Sequence, residues 1–462
     1  MVLLLYIAGK MTVATTLFKH TSFLRGKRDL LKAIQAHQKQ IRNIKKSSSK
    51  LLEEVAREID LVRGRPLFYP AIFSGIGHGA LAELVDGSIK YDFITGIGTH
   101  YFGHSNLDLI DTAIQAASKN IVMQGNLQLS PEVLDFSQKL LSLAGGKLKH
   151  VWPVLSGSMA NDNALKIIQQ KKSPAYKVVA FQHCFHGRSI AMAQITDNEK
   201  YRKGLHPFHL ASYIPFYDPA DDQSIQKSVT ALKDVLHKEK GEIAGFVFEL
   251  IQGEGGFNLA PREFFTSLMD ICQEEKIAIW VDEVQTFART QSLFAFQTLN
   301  LTDYVDVVTV GKMLQNCATL YTAEYNPDPG LIAGTFNGST VSLTVASHIL
   351  ERLKKEKFFG TTGKIAHLEK WAKKGIEDLQ KKFGKETISN ISGVGAMWAW
   401  QFRDGSMENT KALILKAFEE GVMLFSCGRG PYKVRFLLPA GILTESVYQK
   451  ALGILSKAIQ KL

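Results

Sequence analysis

The 462-residue chain has few cysteines, and none of them belongs to a paired motif. This absence argues against both a disulfide framework and a zinc site, and favours reduced thiols in a cytoplasmic protein. The four cysteines lie far apart in sequence: Cys184, Cys272, Cys317 and Cys427. His183 and His186 flank Cys184, but no second cluster completes a metal site, so we expect no bound metal.

The chain also lacks a long apolar run. Residues 1–9 are apolar, but they are too few to span a bilayer, and no basic residues precede them. We therefore expect no membrane association. Residues 1–28 contain no acidic side chain, which keeps a transit peptide open as an alternative, and Met11 is a second candidate start.

No phosphate-binding loop of the Gly-x-x-x-x-Gly-Lys-Ser/Thr type occurs in the chain. The apolar run 277–281 followed by Asp-Glu is similar to a Walker B element, but without the loop a nucleotide-binding enzyme has little support. The glycines at 96–98 and 393–395 do not fit the dinucleotide-binding pattern either.

The net charge of +11 is concentrated at the N-terminus. Residues 1–64 contain 13 Lys or Arg against 5 Asp or Glu, so the rest of the chain is nearly neutral. Apolar residues recur there at helical spacing on both sides of 47–49, from Leu30 to Ile44 and from Leu51 to Val62. We predict two basic amphipathic helices packed on the body or on a neighbouring subunit, and no nucleic-acid binding.

From residue 83 the pattern becomes regular. A hairpin is predicted over 83–93, turning at Asp86-Gly87, and a helix over 107–117. Strands at 151–155, 177–181, 246–250, 277–281 and 305–310 then alternate with helices such as 161–170 and 263–274, which predicts a parallel sheet covered by helices on both faces. After about residue 341, helices and short strands at 396–402 and 432–437 predict a smaller C-terminal domain.

Two of these strands end in reactive side chains. Lys312 follows the run 305–310, and Asp282 follows the run 277–281. Neighbouring parallel strands bring their carboxyl ends to one crevice. A lysine and an aspartate there suit pyridoxal phosphate, which needs an amine for a Schiff base and a carboxylate beside its ring nitrogen. Taken alone, a solvated lysine at a strand end is the simpler interpretation.

Three further segments contain candidate ligands of such a cofactor. Small residues at 156–160 begin a helix after a strand, which suits a phosphate or a simple serine cap. The segment 181–189 offers an aromatic ring, a glycine and an arginine that could bind a carboxylate, or is an ordinary aromatic loop. The glycines in 249–256 indicate a turn as readily as a ligand site.

Together these segments resemble the class III, fold-type I aminotransferases, the group that includes the ornithine, acetylornithine, 4-aminobutyrate and lysine 6-aminotransferases. The resemblance covers about 83–440. It implies an α/β fold in which helices sandwich a mainly parallel seven-stranded sheet, with a smaller α+β domain after it. We expect an N-terminal extension over 1–64, a segment packing with the small domain over 65–106, the large cofactor-binding domain over 107–340 and the small domain over 341–462.

The resemblance assigns cofactor roles residue by residue. Lys312 would form the Schiff base and Asp282 would pair with the ring nitrogen, while Val284 and Phe185 would pack on the two ring faces. The remaining cofactor residues are Gln285 at the phenolic oxygen, Gly157 and Ser158 at the phosphate, His186 beside the ring, and Thr335, which would reach the phosphate of a neighbouring subunit. This last match implies a homodimer with shared active sites.

For the substrates, the resemblance implies that an amino donor, with an ω-amine such as that of ornithine, acetylornithine, lysine or 4-aminobutyrate, transfers its nitrogen to 2-oxoglutarate in a ping-pong reaction. Arg188 would bind the distal carboxylate. Glu254 would pair with Arg435 during the donor half-reaction and release it for the keto acid. A fixed structural pair, or residues that never meet, are the alternatives.

The chain departs from the family pattern at Met159 in the phosphate turn and at 313–318 after the lysine, where a glycine-rich stretch is usual. These departures leave the amino donor open. A lyase, decarboxylase or aminomutase on the same fold would keep Lys312 and Asp282, because the site rather than the fold decides the chemistry. A non-catalytic binding module is supported only by the basic N-terminal helices.

Overall fold

The computed structural model describes residues 12–46, 50–68, 71–125 and 127–462. Its centre is a seven-stranded sheet, in which the third to seventh strands pair in parallel and the second runs antiparallel to both neighbours. This mainly parallel sheet confirms the predicted α/β fold. In sheet order the strands are Leu148–Val154, Cys317–Thr322, Val307–Val310, Ala278–Glu283, Ile243–Phe248, Lys177–Phe181 and Ala211–Ile214.

Helices cover both faces of this sheet, because consecutive side chains of its strands are apolar and point to both faces. On the strand Lys177–Phe181, Val178 and Ala180 join one buried cluster, and Val179 and Phe181 join another. The helix Gly157–Lys172 contributes to the first cluster and Arg262–Glu274 to the second. The other long helices of this part of the chain are Leu107–Ala117, Pro131–Ala144, Ser224–Lys238 and Thr340–Lys355.

The C-terminal part contains a four-stranded antiparallel sheet in the order Ile388–Val394, Met397–Phe402, Tyr432–Leu437 and Phe425–Gly428. Its helices are Lys364–Phe383, Met407–Glu420 and Glu445–Gln460. The short strand Val422–Met423 pairs in parallel with Ile89–Asp92, which forms an antiparallel hairpin with Leu81–Leu84, as predicted. Phe73–His78 completes that second sheet, so the segment before the large domain pairs with the C-terminal part. The domain limits themselves stay a prediction.

Short elements connect these layers. They are the helices Val13–Leu17, Thr95–Gly98, Ile190–Ile195, Glu199–Arg202 and Ala295–Thr298, the strands Val122–Met123, Ile251–Gln252, Asn258–Leu259 and Gly338–Ser339, and single 3-10 turns at Lys312–Leu314, Ala323–Tyr325 and Thr335–Asn337.

The N-terminal extension forms the helices Thr21–Gln38 and Leu51–Arg63. Lys27 of the first helix pairs with Asp111 of the body at 2.9 Å. The predicted extension of this helix to Ile44 is wrong. The chain leaves the helix after Gln38 because that amide donates to two backbone carbonyls of the body, and Lys45 then exchanges backbone hydrogen bonds with Ile89. The predicted serine linker 47–49 and the first eleven residues lie outside the described residues.

Within the described ranges, no helix is long and apolar enough to cross a membrane.

Candidate active site

A cavity of about 180 Å³ lies at the carboxyl ends of the central strands. It gathers the predicted cofactor residues from four separate parts of the chain, with the exception of Thr335. Its lining consists of Gly157, Ser158, Asn161, Phe185, His186, Gly187, Glu249, Asp282, Val284, Gln285 and Lys312. The strand ends therefore converge as the sequence indicates.

Asp282 lies at the bottom of this cavity and is held from three directions. Its Oδ2 accepts hydrogen bonds from Asn161 Nδ2 at 2.8 Å and from the ring Nδ1 of His186 at 2.9 Å. Its Oδ1 accepts from the backbone N–H of Val284 at 3.0 Å. Asn161 also donates to the carbonyl of His186 at 2.7 Å, so the aspartate, the histidine and the amide form one rigid unit.

The charges of Asp282 and His186 stabilise each other within this unit. Burial alone would raise the pKa of Asp282, but the hydrogen bond and charge of His186, together with the donors Val284 and Asn161, lower it below its ordinary value. The pKa of His186 is raised although burial opposes it, because Asp282 and Cys184 favour the imidazolium. The aspartate therefore stays ionised in a dry site, as a partner of a protonated ring nitrogen must.

Lys312 begins a single 3-10 turn between the strands Val307–Val310 and Cys317–Thr322. Its φ of 48° is in the left-handed region, which a residue with a Cβ adopts only at a cost of about 1 kcal/mol or more. Desolvation lowers the pKa of its ammonium, with Arg435 acting in the same direction and with Asp282 and Glu254 acting against it. A lowered pKa increases the fraction of neutral amine, which is the nucleophilic form.

The opposite end of the cavity is the start of the helix Gly157–Lys172. Ser156 caps this helix by accepting from the N–H of Met159 at 3.2 Å, which leaves the first turn at Gly157 and Ser158 facing the cavity. A Cβ on Gly187 would lie 2.4 Å from Ser158 Oγ, so glycine is required for this close approach. Exposed N–H groups and the dipole of a 16-residue helix favour a phosphate here.

Two glycines at or next to the cavity leave no room for a side chain. A Cβ on Gly157 would lie 2.8 Å from Val284, and one on Gly311 would lie 2.6 Å from Cys317 Sγ. Gln285 extends into the same space, where its buried Oε1 has no hydrogen-bond partner within the described part of the chain.

A second, larger cavity of about 1030 Å³ opens from the first through the shared residues Phe185 and Lys312. It is lined by Arg188, Glu254 and Arg435, to which the family resemblance assigns substrate binding. The three predicted substrate residues therefore lie around the mouth of the lysine pocket.

Glu254 and Arg435 meet in this larger cavity, with Oε1 of the glutamate 2.8 Å from Nη1 of the arginine. The two ends differ in exposure: the arginine side chain is fully buried, whereas the glutamate side chain is 31% exposed. Arg435 also donates from Nη1 to the carbonyl of Gly253 at 3.3 Å, while its Nε and Nη2 have no partner within the described residues. A buried cation with free donors faces an acid that can turn toward solvent.

Arg188 is exposed and held by aromatic rings. Its guanidinium carbon lies 4.2 Å from the ring centre of Tyr201, and its Nη2 donates to the hydroxyl of that tyrosine at 3.1 Å. The ring of Phe185 is 5.9 Å from the same carbon. The guanidinium is thus oriented at the outer end of the substrate cavity, where its remaining donors can bind an anion.

Thr335 lines neither cavity. It lies exposed in the turn Thr335–Asn337, and its carbonyl accepts from the N–H of Gly125 at 3.2 Å. Its predicted contact with the phosphate of a neighbouring subunit stays a prediction.

Sequence reasoning missed Asn161, Glu249 and Tyr201. Asn161 lies in the first turns of the helix Gly157–Lys172, on the side that faces Asp282, and its helical spacing from Ser158 was a usable signal. Glu249 directly follows the strand Ile243–Phe248, so the strand-end argument applied to Asp282 would have found it. Nothing local marks Tyr201. In the described ranges, no group of three or more His, Cys, Asp or Glu could hold a metal ion.

This arrangement on an α/β fold is suited to an aldehyde cofactor attached to a lysine. The chain belongs to the class III aminotransferases, whose family model matches residues 69–459. It is therefore an aminotransferase, rather than a nucleotide-binding enzyme or a non-catalytic binding module. Members of this family depend on pyridoxal phosphate.

The chain is similar to named relatives over most of their length. It is 30% identical over 404 residues to a mitochondrial acetylornithine aminotransferase of Candida glabrata, covering 83% of this chain and 90% of the relative. It is 28% identical to a probable 4-aminobutyrate aminotransferase of Bacillus subtilis, covering 83% and 92%.

Among solved structures, lysine aminotransferase from M. tuberculosis in the internal aldimine form superimposes with a TM-score of 0.78 at 21% identity, over 88% of this chain and 99% of that chain. The ornithine aminotransferase from Toxoplasma gondii ME49 gives 0.76 at 22% identity, over 93% and 98%. These likenesses show the shared fold.

Proposed function

We propose that this aminotransferase moves the ω-amino group of ornithine, acetylornithine, lysine or 4-aminobutyrate to 2-oxoglutarate, in two half-reactions that share one site. The observation that supports this most directly is the ion pair between Glu254 and the buried Arg435 at the mouth of the lysine pocket. A site that must accept a carboxylate in only one half-reaction needs a removable counter-charge.

The residues of the smaller cavity fit pyridoxal phosphate. The helix start at Gly157 and Ser158 suits its phosphate, the charged Asp282 suits its ring nitrogen, and the orphaned polar end of Gln285 lies in the same space. Glycine is required at 157 on the cavity wall, because a Cβ there would lie 2.8 Å from Val284. When bound, the cofactor supplies an aldehyde that bonds to amines and a ring that accepts the electron pair released from carbon.

Lys312 has two tasks in this proposal. Its neutral amine would attach the cofactor, and once a substrate amine has displaced it, the same Nζ would take a proton from the substrate carbon and deliver it to the cofactor carbon on the other side of the shared nitrogen. Burial favours the neutral amine because it lowers the pKa of Lys312. Phe185 and Val284 both line the pocket and would pack on the two faces of the ring.

The substrate groups are divided between the arginines. Arg188 would bind the distal carboxylate of either substrate from the outer end of the cavity. Arg435 would bind the carboxylate next to the reacting carbon of 2-oxoglutarate or glutamate, after Glu254 turns away. With an ω-amine donor the reacting end is an uncharged carbon chain, and Glu254 would remain paired with Arg435.

A donor screen tests the reaction. Purified protein loaded with pyridoxal phosphate is incubated with 2-oxoglutarate and each donor in turn, and glutamate formation is followed. We expect glutamate from at least one ω-amine donor. Release of carbon dioxide or ammonia without glutamate would instead indicate a lyase or decarboxylase, and an isomerised amino acid would indicate an aminomutase.

We further propose that the enzyme is a homodimer with shared sites. Exposed apolar side chains lie near the turn Thr335–Asn337. This turn contacts the strand Leu148–Val154 and lies beside the pairing of Val122–Met123 with Gly338–Ser339. These side chains are Ile121, Leu127, Leu129, Leu155, Met159 and Phe336. Burying them against a second copy would remove apolar surface from water and bring Thr335 toward the partner's site.

Mixing two inactive variants tests the shared site. Lys312→Ala and Thr335→Ala should each show low activity, whereas hybrid dimers formed by denaturing and refolding the mixture should regain up to about half of the parent activity per hybrid. One site of each hybrid then has both native residues, and the other has neither. Mixtures no more active than the separate variants would show that Thr335 serves its own chain. The cytoplasmic location stays a prediction.

A further inference from the structure

Glu249 is a buried acid whose role the proposed reaction leaves unassigned. It directly follows the strand Ile243–Phe248, is 6% exposed and lines the smaller cavity. A buried carboxylate is costly unless hydrogen bonds and charges stabilise it, so its partners indicate what it does.

The two oxygens of Glu249 bind two different parts of the site. Oε1 accepts from the backbone N–H of Phe185 at 3.0 Å, and Oε2 accepts from the backbone N–H of Gly253 at 2.9 Å. Phe185 lines both cavities, and Gly253 directly precedes Glu254 and offers its carbonyl to Arg435. One carboxylate thus connects the ring-stacking residue with the segment that carries the counter-charge.

The charged groups around Glu249 come from every neighbouring element. His186 follows the strand Lys177–Phe181, Asp282 belongs to the strand Ala278–Glu283, and Lys312 and Arg435 interact with Glu249 from their own segments. Burial raises the pKa of Glu249 to about 7, with Asp282 adding to the shift and His186 and the two N–H donors opposing it.

We infer that Glu249 is a positioning residue that fixes the ring of Phe185 and the backbone of Glu254 in one mutual arrangement. This inference rests on the proposed function, because both tasks it coordinates belong to that function. Only an ionised carboxylate can accept fully from both N–H groups. A proton on either oxygen weakens that acceptor and adds a donor, so the arrangement should loosen as the pH falls below about 7.

Glu283 provides a matched control on the neighbouring strand. It is equally buried, and burial raises its pKa to about 7 as well. Its oxygens accept from the N–H of Phe296 at 3.0 Å and from the hydroxyl of Thr286, and it lines neither cavity. In Glu283→Gln the new amide can donate to that hydroxyl, which accepts as well as donates. In Glu249→Gln the new amide would face a backbone N–H, donor against donor.

The first measurement is cofactor affinity, which does not depend on turnover. Protein freed of cofactor is titrated with pyridoxal phosphate from pH 6 to 8.5 while tryptophan fluorescence is followed. We expect about tenfold weaker binding in Glu249→Gln at pH 8, and little change in Glu283→Gln. The difference between the two variants should shrink toward pH 6, where the parent Glu249 is itself protonated.

The second measurement compares the half-reactions. In Glu249→Gln the ratio of the rate with an ω-amine donor to the rate with glutamate should change by about tenfold, because the backbone of Glu254 is no longer fixed. Glu283→Gln should keep the parent ratio. Glu249→Asp retains the charge but reaches only one N–H, and its rate ratio should lie between those of the parent and Glu249→Gln. It also provides a second test if Glu249→Gln folds poorly.

Thermal unfolding between pH 4.5 and 8 checks that the control is matched. A carboxyl whose pKa is raised by folding stabilises the protein fully below its unfolded pKa near 4.5, and loses this contribution as the pH rises through about 7. The stability of both glutamine variants should therefore fall less steeply than that of the parent over this pH range.

Equal effects of both variants on affinity and on the rate ratio would overturn the inference, as would parent-like values in Glu249→Gln and Glu249→Asp. A parent protein that binds no cofactor would instead overturn the proposed function.

Discussion

The two halves of the site are built in different ways. Around Asp282, both carboxylate oxygens accept hydrogen bonds, Oδ2 from Asn161 and His186 and Oδ1 from the backbone N–H of Val284. Around Arg435, the partly exposed Glu254 meets a buried cation, and two of the nitrogens of that cation have no partner among the described residues.

This difference indicates what each half is for. A ring nitrogen has the same requirement in every step, so a preorganised carboxylate serves it best. Two substrates that differ in charge at the reacting end have opposite requirements for the charge at the mouth of the lysine pocket, so the ion pair there must be breakable. The hydrogen bonds to both oxygens of Asp282 make the first half rigid, and the donors of Arg435 that have no partner among the described residues keep the second half adaptable.

Removing Lys312 should cause the largest loss of activity. Lys312→Ala deletes both the attachment point and the proton carrier, so transfer should fall by about ten-thousand-fold or more, while the phosphate end still binds cofactor. The measurement is glutamate formation. Borohydride reduction of the parent, followed by peptide mapping, should label Lys312, and a pyridoxyl group on another lysine would contradict the assignment.

Neutralising Asp282 tests whether this residue acts through its negative charge. Asp282→Asn keeps the shape but removes the charge beside the ring nitrogen, so turnover should fall by about a hundred- to a thousandfold. The cofactor content, measured after alkaline release, should change much less. Near-parent turnover would place the ring nitrogen elsewhere.

Removing the counter-charge tests the adaptable half. Glu254→Ala leaves Arg435 permanently available, so glutamate should become a better donor and ω-amine donors should become worse, each by about tenfold. Half-reaction rates, followed separately by cofactor absorbance, show the opposite directions. A parallel loss for both substrate types would mean that the pair is structural.

The smallest effect concerns the support of the aspartate. Burial raises the pKa of Asp282 and His186 lowers it, so His186→Ala should raise that pKa and move the acid limb of the turnover profile to higher pH. His186→Asn retains a donor near the position of Nδ1 and should recover part of the shift. An unmoved acid limb in the alanine variant would separate His186 from the charge of Asp282.

The sequence was most informative where chemistry and periodicity coincide. Lys312 and Asp282 each follow an apolar, β-branched run, and both runs are strands whose ends meet at one cavity. The helix 107–117 was predicted with its observed limits, Leu107–Ala117, from its helical apolar spacing, and in the structure Asn106 caps it.

The missed elements have weaker local patterns. The strand Ala211–Ile214 is a short edge strand, and Cys317–Thr322 reverses direction after only a six-residue connection, which alternating strand and helix patterns do not predict. The helix end at Gln38 depends on carbonyls of Gly77 and Ser105, and no spacing within the helix reports them. Contacts between residues far apart in sequence decide these cases.

The six-residue connection between Val310 and Cys317 has a consequence for how the site is acquired and lost. Both of its ends are hydrogen-bonded into the centre of the sheet, and the returning strand pairs with Leu148–Val154, far earlier in the chain. The backbone of Lys312 therefore cannot fray by itself: opening it requires the central strands to separate. The burial that lowers the pKa of its amine arises only when distant parts of the polypeptide have joined, so in an incompletely folded chain Lys312 is an ordinary, mostly protonated lysine.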